Sequence, residues 1–86
     1  MPRISQFFGI IISMYYHDHS PPHFHARYGE HEAKFGIDPI SQLEGHLPTR
    51  ATSLVLEWAA LYQHALRENW QLLTERQPLN PIPPLD

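Results

Sequence analysis

The chain contains no cysteine, so it can form neither a disulfide bond nor a thiolate metal site. Any bound metal ion would therefore take its ligands from histidine and carboxylate side chains. A chain of 86 residues without disulfide bonds is expected to be marginally stable unless a metal, a partner or a second copy stabilises it. The absence of cysteine also suits a reducing compartment, and we expect a cytoplasmic protein.

Basic residues are scarce as well. Six lysines and arginines stand against nine aspartates and glutamates, which gives a net charge of -3 with neutral histidines. This balance argues against a strongly basic surface for nucleic acid. The seven histidines weaken that argument, because the chain becomes less negative as they protonate below about pH 6.5. Nucleic-acid binding therefore stays open as an alternative.

No apolar run is long enough to cross a bilayer; the longest is at residues 7–16. This run also lacks the basic leader and the small-residue cleavage site of a signal peptide, so we expect no association with a membrane. It is rich in β-branched and aromatic residues and is apolar on both faces. That composition predicts a central strand that is covered on both sides or lies at an interface.

Residues 23–37 carry the clearest structural pattern, a β-hairpin with a two-residue turn at Gly29-Glu30. In this register the apolar residues fall on one face of the hairpin: Phe24, Ala26, Ala33, Phe35 and Ile37. The opposite face is polar and carries His23, His25, Arg27, Glu32 and Lys34. We expect this polar face to lie on the surface, away from the helix, with Arg27 paired to Glu32 across the strands.

The second half of the chain predicts a short strand and a helix. Residues 39–44 are consistent with a further strand, and the apolar residues between positions 51 and 73 recur at helical spacing, which predicts one long helix. Asn69 lies within the apolar stripe of this helix, where we expect it to form a hydrogen bond with a loop backbone.

Residues 78–86 contain four prolines and predict an extended arm that docks through Ile82 and Leu85. The expected fold is therefore α+β: a three- to four-stranded antiparallel sheet, then one long C-terminal helix packed on one face, then a proline-rich tail. We expect residues 1–77 to form a single α+β domain and residues 78–86 to form a proline-rich C-terminal arm.

Five of the seven histidines lie within fifteen residues, and four of these lie within nine. His23 and His25 are two apart on a predicted strand, so their side chains point to the same side. Asp18 and His19 approach from across the Pro21-Pro22 loop. Imidazole and carboxylate ligands suit zinc or nickel, and the candidate metal ligands are Asp18, His19, His23 and His25. The alternative is an ordinary polar strand face whose histidines form local hydrogen bonds.

The same face also suits metal-free acid–base chemistry on RNA, which needs a base, an acid and a cation beside the phosphate. The candidate catalytic residues for such a ribonuclease are His23, His25, Arg27 and Lys34. The negative net charge argues against this function, although a local basic patch can still bind nucleic acid.

Protein binding is a third function that the sequence supports. The first strand is apolar on both faces, and Trp70 lies off the apolar stripe of the helix. Large apolar groups that a small core cannot cover mark interfaces. We therefore expect a homo-oligomer or a small protein partner.

Several motifs spread along the chain resemble one known family. They are Met1-Pro2 with Ile4-Ser5, Met14-Tyr15, the block from Asp18 to Ala26, the Gly45-x-Leu47-Pro48 turn, and Glu57-Trp58 with Asn69-Trp70. Over nearly the whole chain they resemble the bacterial family called domain of unknown function 4160. Members look like small prokaryotic proteins that are often encoded beside another small protein, which is similar to the arrangement of toxin–antitoxin modules.

The residues and the resemblance together predict a component of a two-protein toxin–antitoxin-like module that acts by protein binding. The alternative is a metal-binding hydrolase or a ribonuclease that uses the face of His19, His23 and His25.

Overall fold

A computed structural model describes residues 2–86, which contain five strands and two helices. The elements are β1 Arg3–Phe7, β2 Ile10–Ser13, β3 His23–Tyr28, β4 His31–Ile37, β5 Ile40–Gly45, α1 Thr49–Leu61 and α2 Gln63–Thr74. The strands form one antiparallel sheet in which each strand lies beside its neighbour in the chain. The α+β class is confirmed, whereas the expected three to four strands and single long helix are both wrong. Within residues 2–86, no helix combines the length and the apolar character needed to cross a membrane.

The additional strand arises because the apolar run at residues 7–16 turns back on itself at Phe8 and Gly9. Both residues have positive φ angles, 48° and 79°, as a two-residue turn between twisted strands requires. Such turns usually contain asparagine followed by glycine, and a bulky side chain in this conformation is unusual. Phenylalanine at the first position therefore concealed the turn between β1 and β2.

The predicted helix is divided at Tyr62, where φ is -116°. The chain has neither proline nor glycine at this point, so no helix-breaking residue marks the division. Directly after it, Gln63 Nε2 donates a hydrogen bond of 2.8 Å to the backbone carbonyl of Ile37 at the end of β4. A tertiary contact between α2 and the sheet therefore accompanies the break, and local sequence alone does not encode such a contact.

The predicted register of the hairpin is confirmed, since Tyr28 pairs with His31 and Phe24 pairs with Phe35. Phe24 and Phe35 are fully buried and stack with ring centroids 5.5 Å apart. Trp58 of α1 packs edge-on against Phe24 at 5.7 Å. The hydrophobic core therefore lies between this face of the sheet and the helices.

The opposite face of the hairpin is not the exposed surface that we expected, because His23 and His25 are only 5% and 8% exposed. The segment between β2 and β3, residues 14–22, folds over them, and the ring of Tyr15 lies 4.5 Å from the ring of His25. Strand alternation assigns residues to a face of the sheet but does not say what covers that face. The prediction was right about which residues share this face. It was wrong about the exposure of the face and about its separation from the helices, because the ring of Trp70 on α2 lies 5.3 Å from the ring of His23.

The proline-rich arm packs on its own chain through Ile82 and Leu85, which are 4% and 8% exposed, as expected. The amide of Ile82 donates a hydrogen bond of 2.8 Å to the carbonyl of Ile4 on β1. Trp58 Nε1 donates another, of 2.9 Å, to the carbonyl of Pro83. The arm therefore covers the edge of β1 and one end of the central tryptophan.

Asn69 is fully buried and forms two hydrogen bonds, of 2.8 and 2.9 Å, with the backbone of Asn80. Its expected structural role is thereby confirmed. We expect Asn69→Asp to lower the free energy of unfolding by about 2 kcal/mol or more, because a carboxylate oxygen then faces the Asn80 carbonyl. Urea denaturation measures this loss. Asn80→Ala is the matched control, since it keeps both hydrogen bonds; equal losses in the two variants would contradict the prediction.

An ion pair joins α2 to the turn between β4 and β5. Nε of Arg67 lies 2.9 Å from both carboxylate oxygens of Asp38. Hydrogen bonding to Arg67 lowers the pKa of the Asp38 carboxyl below its ordinary value. A carboxyl with a lowered pKa stabilises the folded state above its unfolded pKa of about 3.9, and this stabilisation disappears as the pH falls through the folded pKa.

A second prediction follows from the lowered pKa of Asp38. We expect Asp38→Asn to be less stable than the wild type near pH 6 and to approach the stability of the wild type as the pH falls through the lowered pKa of folded Asp38. Urea denaturation at pH values on both sides of that pKa measures the difference. Arg67→Gln should produce the same pH dependence, and the double variant should lose little more than either single variant. A destabilisation by Asp38→Asn that stays constant with pH would rule out the ion pair as its cause.

Candidate metal centre

The centre is built on β3, where His23 and His25 point to the side of the sheet away from the core. Phe24 between them is fully buried on the core side, so the strand alternates between the two environments. The segment from residue 14 to residue 22 then brings Asp18 over the two rings. It contains a turn in which the amide of Asp18 donates a hydrogen bond of 3.0 Å to the carbonyl of Tyr15. Strand and loop together bring three potential ligands to one place.

One carboxylate oxygen lies against both imidazole rings. Asp18 Oδ2 is 2.8 Å from Nε2 of His25 and 3.1 Å from Nε2 of His23. One potential ligand atom from each of the three residues lies within 4.8 Å of those from the other two. The side chains of His23 and His25 are nearly fully buried, and that of Asp18 is 22% exposed. The three groups therefore converge on one small volume that reaches the solvent beside the carboxylate.

The tautomer of His23 follows from its other nitrogen. Nδ1 lies 2.8 Å from the backbone carbonyl of Pro21, and a carbonyl only accepts, so Nδ1 carries the proton. In a neutral ring Nε2 then carries a lone pair. This buried Nε2 lies beside Asp18 without a hydrogen bond, although 3.1 Å separates the two atoms. A lone pair directed at a carboxylate is unfavourable by itself and suits a cation between the two groups.

His25 is placed between two carboxylates. Its Nε2 contacts Asp18 at 2.8 Å, and its Nδ1 lies 3.5 Å from Oε2 of Glu32 without forming a hydrogen bond. A neutral imidazole has a single N–H group, so it cannot donate to both carboxylates at once. A cation at Nε2 would leave Nδ1–H free to donate to Glu32, which is the usual arrangement behind a metal-bound histidine.

Buried nitrogen atoms without hydrogen bonds are rare in folded proteins, and each costs about 1–3 kcal/mol. Two of the three unpaired buried side-chain atoms in the described residues 2–86 belong to this centre, namely Nε2 of His23 and Nδ1 of His25. Nε2 of His23 lies beside the carboxylate of Asp18, and Nδ1 of His25 lies beside the carboxylate of Glu32, so each unpaired nitrogen has a carboxylate as its neighbour. Two imidazoles and one carboxylate are a donor set that binds zinc and other divalent transition metals and leaves coordination positions for solvent or substrate.

The remaining predicted residues lie around the centre, not in it. His19 is exposed on the loop, and its ring nitrogens are not part of the converging group. Lys34 Nζ pairs with Glu44 at 3.1 Å. Arg27 is opposite Glu32 in the register, but the expected ion pair between them is not formed. Instead, Nε of Arg27 donates a hydrogen bond of 3.3 Å to the carbonyl of Gly29. Of the four catalytic candidates, the two histidines have ring centroids 5.3 Å apart, and Lys34 is the cross-strand partner of His25.

Sequence reasoning missed the residues that hold the two rings in place. Tyr15 packs edge-on against His25, and Trp70 of α2 lies 5.3 Å from the ring of His23. Trp70 did give a signal, because it stands off the apolar stripe of its helix; the contact with His23 explains that position. The strand pattern placed Glu32 on the same face as His25 but paired it with Arg27, and it gave no signal for the Pro21 carbonyl.

An open cleft of about 470 Å³ reaches the centre from one side. It is bordered by Asp18, His19, His23, Lys34 and Glu44. A small molecule can therefore approach the carboxylate of Asp18 without unfolding the loop, whereas Nε2 of His23 is buried behind it. Access of this kind separates a candidate reactive centre from a purely structural one.

Comparison with known families agrees with the resemblance noted from the motifs. A family model described as Domain of unknown function (DUF4160) matches residues 9–71. The chain belongs to this family. Asp18, His23 and His25 lie inside the matched DUF4160 segment, whereas the C-terminal arm lies outside it. Searches of curated proteins and of solved structures found no match. The description of DUF4160 names no activity.

Proposed function

We propose that this DUF4160 protein binds a divalent transition-metal ion, zinc or nickel, through Asp18, His23 and His25, and acts as a metal-dependent hydrolase. The observation that supports this most directly is that the buried Nε2 of His23 forms no hydrogen bond although it lies beside the carboxylate of Asp18. The Pro21 carbonyl holds the proton on the opposite nitrogen, so Nε2 is available as a ligand 3.1 Å from a carboxylate oxygen.

The chain's own residues divide the work of such a centre. His23 and His25 are held by Trp70 and Tyr15, so their ring planes are restrained before any ligand binds. Glu32 stands behind His25 and is positioned to accept its second N–H. A bound ion of this class lowers the pKa of a water molecule and polarises an ester or amide oxygen. Asp18, which is the most exposed of the three ligands, faces the open cleft through which water reaches the centre.

A metal titration tests the metal binding on which this function depends. We expect zinc or nickel to bind at one site per chain by isothermal titration calorimetry. His23→Ala, His25→Ala and Asp18→Asn should each weaken binding by at least about tenfold, because each removes a direct ligand. The bound ion should also raise the melting temperature of the wild type, since it binds the folded state.

The matched controls are His19→Ala and His31→Ala, which remove exposed histidines outside the converging group. Both should bind the ion like the wild type and keep its thermal stabilisation. If His23→Ala and His25→Ala retain wild-type affinity, the ion binds surface histidines only, and the proposed function is wrong. Circular dichroism of each variant separates loss of a ligand from loss of the fold.

A second candidate is protein binding within a two-protein toxin–antitoxin-like module, as a homo-oligomer or with a small protein partner. The observation that favours it is a groove of about 210 Å³ at the other end of the sheet, where Phe8 and Tyr28 are 59% and 40% exposed. Leu54 and Pro48 continue its apolar lining. Large exposed side chains that cluster in this way are typical of interfaces. The positive φ of Phe8 adds support, because backbone strain is retained where it serves a function.

The prediction for this candidate uses Phe8→Asn, which removes the apolar side chain and suits the positive φ of the turn. We expect the wild type to associate at micromolar concentration and Phe8→Asn to be monomeric yet at least as stable as the wild type. Sedimentation equilibrium and urea denaturation measure the two properties. Leu61→Asn is the matched control, because Leu61 is 65% exposed outside the groove. A monomeric wild type that also fails to bind the protein encoded beside it would eliminate this candidate.

A further inference from the structure

A second groove runs over the outer face of the sheet, directly beside the candidate metal centre. Its volume is about 200 Å³, and it is lined by side chains from β1, β2, β3 and β4. Arg3 and Arg27 form part of its lining, with Ser13 on the strand between them. His25 lines the groove as well, so one imidazole ring borders both the groove and the metal centre.

The cross-strand register explains why these groups meet. Arg3 of β1 pairs with Ser13 of β2, and Ser13 pairs with His25 of β3, which gives one row across three strands. Arg27 lies two residues beyond His25 on β3 and therefore on the same side of the sheet. Tyr15, packed against His25, closes the row at the loop.

Both arginines keep free donors. Nη1 of Arg3 donates a hydrogen bond of 2.8 Å to Oε1 of Gln6, and Nε of Arg27 donates one of 3.3 Å to the carbonyl of Gly29. Neither guanidinium forms an ion pair with a carboxylate of residues 2–86, whereas Lys34 and Arg67 are both engaged in one. Glu32 is the one acidic residue in the groove lining, so two positive charges oppose one negative charge there. This local balance is opposite in sign to the net charge of the chain, which is -3.

We propose that this groove binds the phosphoryl group of a phosphate ester and presents the ester to the metal centre. The inference rests on the proposed function and names the substrate class of the same site. Guanidinium groups bind phosphate oxygens through paired N–H donors, and Arg3 and Arg27 together have most of theirs free.

A tetrahedral anion suits this geometry better than a carboxylate does. Arg3 and Arg27 lie on strands separated by β2, so the two strands are about 10 Å apart and the two side chains reach the groove from two directions. A planar carboxylate is satisfied by one guanidinium fork, whereas a phosphoryl group has oxygens for two. The hydroxyl-bearing Ser13 lies between the two arginine strands, and His25 lies at the side towards the centre.

The test measures binding of two probes to metal-loaded and metal-free protein, by isothermal titration calorimetry and amide chemical shifts. The probes are phenyl phosphate, a monoester, and a uridylyl dinucleotide with a single phosphodiester. We expect metal-loaded wild type to bind at least one of them, with shifts at the amides of Ser13 and Arg27. Arg3→Gln and Arg27→Gln should each weaken this binding by about fivefold or more while leaving the zinc affinity unchanged. Arg50→Gln, which changes an exposed arginine outside the groove, is the matched control and should bind like the wild type.

The outcomes separate the groove from the metal centre. If the protein prefers phenyl phosphate, its substrates are phosphomonoesters. If it prefers the dinucleotide, its substrate is nucleic acid. Either result supports the inference when binding depends on Arg3 and Arg27. Wild-type probe affinity in the Arg3→Gln/Arg27→Gln double variant overturns the inference and leaves metal binding intact. If the chain binds no metal, the proposed function fails, and the metal-free titration decides the groove. If the metal-free protein binds a probe and this binding depends on the two arginines, the groove is still an anion site. If the metal-free protein binds neither probe, the inference is overturned.

Discussion

The alternation of side chains along β3 is the constraint on which the rest of this structure depends. Phe24 packs against Phe35 and Trp58 in the core, while His23 and His25, one residue to either side, face Asp18. A slip of one residue would place both imidazoles in the core and Phe24 in the candidate centre. Stability and chemistry are therefore linked through one register, and the buried aromatic residues hold the histidines in place.

The loop between β2 and β3 converts a polar strand face into a centre with defined geometry. It brings Asp18 to both imidazoles, supplies the Pro21 carbonyl that orients His23, and covers His25 with Tyr15. Removing these groups from water strengthens the electrostatic interaction between them, and it also makes unpaired nitrogens unfavourable. A bound cation would relieve that cost while using the same contacts, which is why the buried arrangement supports metal binding more strongly than three exposed residues would.

The surfaces considered for function occupy different parts of the sheet. The candidate metal centre and the arginine-lined groove share His25, so ligand binding in the groove and at the centre can be coupled through one side chain. The apolar groove around Phe8 and Tyr28 contains none of the three converging residues. Association through Phe8 is therefore compatible with chemistry at the centre, and a single DUF4160 chain has room for both.

The amino-acid sequence by itself determined the α+β class, the hairpin register, the buried role of Asn69, the docking of the arm, and Asp18, His23 and His25 as a candidate group. These follow from local regularities: the period of two in a strand, the helical period, and proline content. The tertiary structure decided that His19 stays outside the group, that Arg3 joins Arg27, that the helix divides at Tyr62, and that the histidines are buried. The physical reason is that these features depend on contacts between distant segments, such as Trp70 with His23 and Gln63 with Ile37, which no local period encodes.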